Sequence, residues 1–198
     1  MVKKHESTAI RRGQIVDAAR KLIIKQGSEH LTIKRIAKEV DMSEAAIYRH
    51  FKSKKDILSL LVDHVRDNLV DDIARASASK PTSLATIEAI LNSHLSAIEQ
   101  RRGISFQVVA EIISLGDKKL NRKMADVVNE YLSQLKNLLS ELAKTGEVRG
   151  DIDLEAAALL LFGMIQGLVN IWVLSHYSFD PRGKYLSLWS IFRRAVTN

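Results

Sequence analysis

The chain contains no cysteine, and it has only two prolines and nine glycines among its 198 residues. Without cysteine it cannot form disulfides, thiolate metal sites or a cysteine nucleophile. So few turn-forming residues favour long helices. No apolar run is seen that approaches the roughly 20 residues needed to span a bilayer, and the N-terminus lacks the apolar segment of a secretory signal. We therefore expect a helical, cytoplasmic protein with no membrane partner.

The excess positive charge is confined to the first third of the chain. The sequence has 30 Lys and Arg against 23 Asp and Glu, a formal net charge of +7. Residues 1–60 contain 14 of these cations and 7 of the acids, whereas residues 61–198 contain 16 of each. A basic module followed by a neutral one indicates binding to a polyanion such as nucleic acid at one end. An anionic lipid surface or an ordinary solvated surface would give the same charge.

Almost every segment shows the spacing of an amphipathic helix, and none shows sustained strand-like alternation. The pattern predicts an all-α fold of about nine helices. A break is expected at residues 52–54, followed by a fourth helix over about 55–77, and an eighth helix over about 154–176. Four helices are expected to begin with a capping side chain: Thr32, Ser43, Asp153 and Asp180.

Residues 32–51 contain two short helices joined by a turn of about three residues, which is the helix-turn-helix arrangement. The first helix keeps Ala37 small, so that the second can cross it closely. The second turns Ile47 and Phe51 inward. Such a motif places the N-terminal residues of its second helix at base edges in the DNA major groove. The sequence therefore predicts binding to double-stranded DNA.

The other positions of this second helix are expected to face the DNA, pointing away from Ile47 and Phe51: Glu44, Ala45, Ala46, Tyr48 and Arg49. Small alanines let the backbone come close to the groove, and Arg49 could bind guanine or a phosphate. Phosphate contacts are expected from nearby hydrogen-bond donors and cations: Tyr48, His50, Lys52, Lys54 and Lys55. Lys34 is a further candidate DNA-binding residue.

Three stretches carry a family resemblance: IVDAARKLIIKQG, LTIKRIAKEVDMSEAAIYRHF and KSKKDIL. In order and spacing they resemble the DNA-binding module of the TetR (tetracycline repressor)/AcrR family, over about a quarter of the chain. The rest resembles the family in helical layout only. The resemblance implies a DNA-binding domain at residues 8–68, and an effector-binding and dimerisation domain at 69–198. It also implies a dimeric repressor that leaves a palindromic operator when a small molecule binds.

The resemblance also assigns roles to single residues. Positions that commonly meet the DNA backbone in the family are occupied here by Thr32, Ser43, Tyr48, His50 and Lys54. Bases are read from the positions of Glu44, Ala45, Ala46 and Arg49. Asp41 and Ala45 stand where the family often has Gly. Asp tolerates a left-handed backbone better than most residues, so the turn is expected to form.

The segment LEAAALLLFGMIQGLVNIWVLSH is apolar nearly all round, so it must be buried on most sides. Gly163 and Gly167 would allow another helix to approach closely. The resemblance implies that the last two helices of each subunit form a four-helix dimer interface, with six residues near it: Gly163, Gly167, Trp172, Leu188, Trp189 and Phe192. A core helix within one chain is the alternative.

An effector pocket is expected among the fourth to eighth helices. Five polar residues on or beside apolar stripes could orient a ligand there: His64, His94, Gln107, Glu111 and Asn129. The alternative for each of them is a satisfied core or surface side chain. Met124 and Trp172 favour an apolar effector, although such residues build any core. We expect no cofactor and no metal ion, because no i,i+4 pair of His or Glu supports one.

Two other function classes are alternatives to a repressor. Nucleoid-associated or division-control factors of the same family have a similar helix and need no small-molecule inducer. An enzyme is not expected, because the sequence contains no Gly-rich phosphate loop, no G-x-S-x-G and no H-E-x-x-H.

Overall fold

The computed structural model describes residues 7–26, 30–79 and 82–197. Within these ranges the chain forms nine α-helices and no strand, which confirms the all-α prediction. The helices are α1 (Thr8–Gln26), α2 (Ile33–Glu39), α3 (Glu44–Tyr48), α4 (Lys54–Ser79), α5 (Leu84–Gln100), α6 (Ile104–Leu115), α7 (Lys118–Thr145), α8 (Leu154–Leu174) and α9 (Pro181–Val196).

All four predicted caps are confirmed. Thr32 Oγ1 accepts from the backbone N–H of Arg35, and Ser43 Oγ accepts from that of Ala46. Asp153 and Asp180 each accept from two backbone N–H groups at the starts of α8 and α9. These bonds satisfy donors that have no partner inside the helix. Three predicted bounds shift, since α4 runs from Lys54 to Ser79 and α8 ends at Leu174.

By its internal contacts the chain divides into unit 1, residues 1–64 and 107–124, and unit 2, residues 65–106 and 125–198. In unit 1, α1 packs on α2 and α2 packs on α3. Large apolar side chains at 0–1% exposure form its core: Ile15, Ile23, Ile36, Ile47, Phe51 and Leu58. Burial of each such side chain contributes about 1.5–3 kcal/mol before conformational entropy is subtracted.

The turn between α2 and α3 depends on a left-handed residue. Asp41 has φ 52°, and the backbone N–H of Met42 donates to the carbonyl of Ala37 over 2.9 Å. This closes the end of α2 and reverses the chain towards α3. The prediction that Asp41 would take a conformation that usually favours Gly is therefore confirmed.

Unit 2 is built around a core to which α5, α7, α8 and α9 contribute. His94 Nδ1 and the Tyr131 hydroxyl lie 3.0 Å apart within it, and the Tyr185 hydroxyl donates to the carbonyl of Glu88. Burial raises the pKa of both tyrosines, so these phenols stay neutral. Gly103 has φ 71° and lies so close to α8 that an added Cβ would be 2.8 Å from Val173 Cγ2.

Helix α8 contradicts the expectation that no apolar segment is long enough to span a bilayer. It is long and apolar enough to cross a membrane, with a mean hydropathy of 2.0, and 39% of its apolar window is buried. Its inward side, including Leu161, Ile165 and Val169, belongs to the core of unit 2. The helix is therefore a core helix on one side, while apolar residues on another side remain exposed.

Candidate nucleic-acid interface

The helix predicted to enter the DNA groove is a five-residue helix, α3, held in place by its cap and by one apolar side. Ser43 Oγ lies 3.1 Å from the backbone nitrogen of Ala46. Ile47 and Phe51 are buried at 0% and 1% exposure. A helix this short is unstable by itself, so the cap and the apolar contacts with unit 1 fix its orientation.

The opposite side of α3 is exposed and polar. Tyr48 is 51% exposed. The exposed set also contains residues from the start of α2, the N-terminus of α3 and the segment that follows it: Thr32, Lys34, Ser43, Glu44, Ala45, Arg49, Lys52 and Lys55. His50 and Lys54 are half-buried. This surface can present hydrogen-bond donors and positive charge to a polyanion, with one carboxylate, Glu44, in the first turn of α3.

Ala46 does not belong to this surface. The sequence placed it outward, but it is only 8% exposed. It precedes Ile47 by one residue, which is about 100° around the helix axis. Ala46 therefore lies at the edge of the inward side, and the expectation that it points away from the core is wrong. Ala45 is the exposed alanine of the pair.

Arg12 on α1 holds the end of α3, a contact that the sequence reasoning missed. Its guanidinium carbon lies 4.5 Å from the centre of the Phe51 ring, and Nη1 donates to the carbonyl of His50 over 2.9 Å. Arg12 therefore makes a cation–π interaction with Phe51 and a hydrogen bond to a carbonyl two residues beyond the end of α3. A sequence signal existed, since Arg12 lies four residues before the buried Val16 and shares its side of α1.

The lysines at the start of α4 are engaged with acidic side chains. Lys54 Nζ lies 2.6 Å from Glu111 Oε1, and Lys55 Nζ lies 2.7 Å from Asp117 Oδ2. Asp117 also accepts from the backbone N–H groups of Lys119 and Leu120 at the start of α7. The bond from Lys55 first, and these backbone bonds with it, lower the pKa of Asp117 below its ordinary value.

The five candidate ligand residues do not form one cluster within either unit. His64, Gln107 and Glu111 belong to unit 1, whereas His94 and Asn129 belong to unit 2. Glu111 is engaged by Lys54, and His94 contacts Tyr131 in the core. Asn129 lines an open surface groove of about 270 Å³ between α7 and α8. The ion pair of Glu111 is the contact of a satisfied side chain, the alternative left open from the sequence.

The candidate dimer residues separate into two groups. Trp172, Trp189 and Phe192 are 1–6% exposed and belong to the core of unit 2, so they are corrected to core residues. Leu188 is half-buried against the same core. Gly163 and Gly167 are exposed, and a Cβ added at either would meet no atom within 4 Å.

An apolar surface does exist on α8 and α9, with different members. On α8, three exposed apolar side chains and two exposed glycines follow one another at steps of three or four residues, so they lie on one side of the helix. Helix α9 adds two more exposed apolar side chains, which are about 140° apart around its axis. We call these residues the α8–α9 apolar surface: Leu160, Gly163, Gly167, Ile171, Leu174, Leu186 and Ile191. Exposed apolar side chains grouped in this way are typical of a protein interface.

Family models match nearly the whole chain. Residues 15–61 match the model for bacterial regulatory proteins of the tetR family. Residues 62–187 match the model for the C-terminal region of YsiA-like proteins. The first match contains α2 and α3, and the second contains most of unit 2.

Named relatives include a fatty acid metabolism regulator and nucleoid occlusion factors. The fatty acid metabolism regulator protein of Bacillus subtilis is 25% identical over 84% of this chain and 86% of its own length. The nucleoid occlusion factor SlmA of Idiomarina loihiensis is 26% identical over 94% of this chain and 95% of its own length. A crystal structure of the transcriptional regulator FadR from Bacillus subtilis with stearoyl-CoA has a TM-score of 0.79 and 24% identity. It covers 91% of this chain and 96% of that one, so the two share a fold.

Proposed function

Because the chain belongs to the TetR family of bacterial regulatory proteins, it is a DNA-binding transcriptional regulator, and we propose that it acts as a homodimeric repressor released from its operator by a long-chain acyl effector. The observation that carries this proposal is the capped helix α3, which buries Ile47 and Phe51 and exposes Glu44, Ala45 and Arg49. A chromosomal operator places the working protein in the cytoplasm.

In the proposed complex, α3 lies in the major groove. Glu44, Ala45 and Arg49 face base edges, with Arg49 suited to guanine. Phosphates are bound by donors and cations around it: Thr32, Lys34, Ser43, Tyr48, His50 and Lys52. Contacts to phosphate fix the register of the helix on the duplex, whereas contacts to bases carry the sequence preference.

The dimer is proposed to form through the α8–α9 apolar surface. A two-fold axis would bring the same surface of two copies together, so that Gly163 and Gly167 let the two α8 helices approach closely. Two α3 helices in one particle would then read a palindromic operator whose half-sites lie about one DNA turn apart.

A long-chain acyl thioester is the proposed effector. The Bacillus subtilis relative is named for fatty acid metabolism, and the FadR structure contains stearoyl-CoA. Within this chain, the core of unit 2 is built from aliphatic and aromatic side chains around the His94–Tyr131 pair. Such surroundings suit a hydrocarbon chain better than a charged metabolite.

The test begins with selection of bound DNA from a random pool, which gives the operator and its symmetry. Stearoyl-CoA is then titrated against the labelled operator complex and followed by fluorescence anisotropy. We expect release by stearoyl-CoA and none by coenzyme A alone, because only the acyl chain has apolar surface to bury. A non-palindromic selected sequence, or equal effects of the two compounds, would contradict the proposal.

A second function has its own support. The SlmA relative matches a larger share of this chain than the fatty acid regulator does. A nucleoid-associated or division-control factor of this kind would bind DNA without a small-molecule inducer. The same titration separates the two, since stable operator complexes at saturating stearoyl-CoA, together with many binding sites spread along the chromosome, favour the second function.

A further inference from the structure

Two lysines predicted to bind phosphate are instead paired with carboxylates of the same unit. Lys54 and Lys55 begin α4, directly after the segment that follows α3. Glu111 is near the end of α6, and Asp117 is at the start of α7. All four residues belong to unit 1. Two of the cations that follow α3 in the chain are therefore partly neutralised before any DNA is bound.

Glu111 is buried to an extent that other acidic groups are not. Among the described residues it is the one Asp, Glu, Lys or Arg in the buried set. Its side chain is 10% exposed, and that of Lys54 is 25% exposed. A carboxylate with so little solvent depends on a counter-charge, because an unpaired charge in such surroundings is strongly unfavourable. If Lys54 moved to a DNA phosphate, Glu111 would be left without a counter-charge.

The pair of Lys55 and Asp117 has the same chemistry in a more open setting. The side chains are 53% and 20% exposed. The Asp117 carboxylate has a second role, because it accepts the backbone N–H groups at the start of α7. A carboxylate and a phosphate offer a lysine the same kind of charge-assisted bond. Asp117 therefore competes with phosphate for the ammonium group of Lys55.

We propose that Glu111 and Asp117 limit DNA affinity by holding Lys54 and Lys55 in place of the DNA phosphates. The inference rests on the proposed function and adds to it that the start of α4 faces the duplex. It changes the role of Glu111, which orients no ligand but sets how much positive charge the DNA-binding unit offers. Any change that frees either lysine from its carboxylate strengthens binding to every DNA sequence, because the lysine can then contact a phosphate. Base preference stays unchanged.

The direct test uses Glu111→Gln and Asp117→Asn, measured as operator affinity against salt concentration. Asn caps a helix about as well as Asp, so Asp117→Asn removes charge while keeping the start of α7. Each freed lysine is expected to steepen the slope of log K against log salt by about 0.9 per protomer. Operator affinity at low salt should rise roughly three- to tenfold for each variant. Unchanged or weakened binding in both variants would overturn the proposal.

The matched control is Glu130→Gln, which removes one charge from the pair of Arg66 and Glu130 in unit 2. We expect it to leave both the affinity and the salt slope near those of the parent chain. If Glu130→Gln raises affinity as much as the other two variants, a general loss of negative charge explains the effect and the competition does not.

A double-mutant cycle shows whether Asp117 acts through Lys55. In a Lys55→Gln background, Asp117→Asn should no longer raise affinity, whereas a long-range charge effect would persist. The cycle uses Lys55 and Asp117 because Lys54→Gln would leave the Glu111 carboxylate buried and unpaired, which would lower the free energy of unfolding. If the parent chain selects no operator, the proposed function fails. If it selects one and the variants match it, only the competition fails.

Discussion

Arg12 on α1 makes two contacts with the segment that follows α3 in the DNA-binding unit. It contributes a guanidinium over the Phe51 ring and a bond to the carbonyl of His50. We predict that Arg12→Ala lowers the free energy of unfolding by about 1–2 kcal/mol, from the loss of the cation–π contact and of a charge-assisted hydrogen bond. Urea denaturation, followed by circular dichroism, measures the change.

Arg20 provides the control on the same helix. It pairs with Asp17 at the surface, where both side chains are about half exposed. Arg20→Ala should change the free energy of unfolding by less than about 0.5 kcal/mol, because exposed ion pairs contribute little. Equal losses in the two variants would indicate that α1 responds to any arginine removal, which would contradict the specific role of Arg12.

The contacts that the sequence could not predict join residues that are far apart in the chain. Arg12 bonds to His50, 38 positions away, and Lys54 bonds to Glu111, 57 positions away. Helical spacing relates residues three or four apart, so it identifies buried stripes and caps but not partners on another helix. The sequence reasoning therefore identified the exposed side of α3 and missed the charge pairing that modifies it.

At the scale of single helices, the sequence was most informative where a local rule decides the structure. The caps at Thr32, Ser43, Asp153 and Asp180 follow from side-chain chemistry within three residues and are all confirmed. The start of α4 was placed one residue late. Ser53 and Asp56 organise it, since Asp56 Oδ2 accepts from the backbone N–H of Lys52 over 2.8 Å. Ser53 Oγ in turn accepts from the backbone N–H of Asp56, and α4 begins at Lys54, directly after Ser53.

Helix α3 combines a structural cap and a proposed phosphate contact in one residue, Ser43. Ser43→Ala removes the acceptor of the Ala46 N–H and should lower the free energy of unfolding by about 1 kcal/mol. Ser43→Asp keeps an acceptor and a favourable charge at the helix N-terminus, so stability should remain near that of the parent chain. Thermal denaturation compares the two variants.

Operator affinity separates the two roles of Ser43. If the residue faces a phosphate, Ser43→Asp should weaken binding more than Ser43→Ala does, despite its greater stability, because the new carboxylate repels the DNA. Thr32→Asp, at the cap of α2, tests the same idea at a second proposed backbone contact. Full operator affinity in Ser43→Asp would show that the start of α3 lies away from the phosphates.

At the scale of the whole molecule, the apolar composition of α8 has two separate causes. One side packs in the core of unit 2 with Trp172 and Trp189, which is why these residues were mistaken for interface residues. Another side carries the α8–α9 apolar surface, which the single chain leaves exposed. Hydropathy cannot divide such a helix into a core side and an interface side, because both sides have the same composition.

Ile171 and Ile113 allow the proposed dimer to be tested with one kind of substitution. Both isoleucines are well exposed, at 61% on α8 and 67% on α6. Ile171→Glu places a charge on the α8–α9 apolar surface, and the two-fold axis doubles it, so sedimentation velocity should show a shift from dimer to monomer. Ile113→Glu adds the same charge in unit 1 and should remain dimeric.

Operator binding follows from the same two variants. A monomer engages one half-site at a time. It lacks the high effective concentration that a bound dimer gives its second α3 helix, so Ile171→Glu should bind the full operator at least tenfold more weakly. Its affinity for an isolated half-site should stay close to that of the parent chain, because α3 is unchanged. A dimeric Ile171→Glu, or a monomeric Ile113→Glu, would move the interface away from α8 and α9.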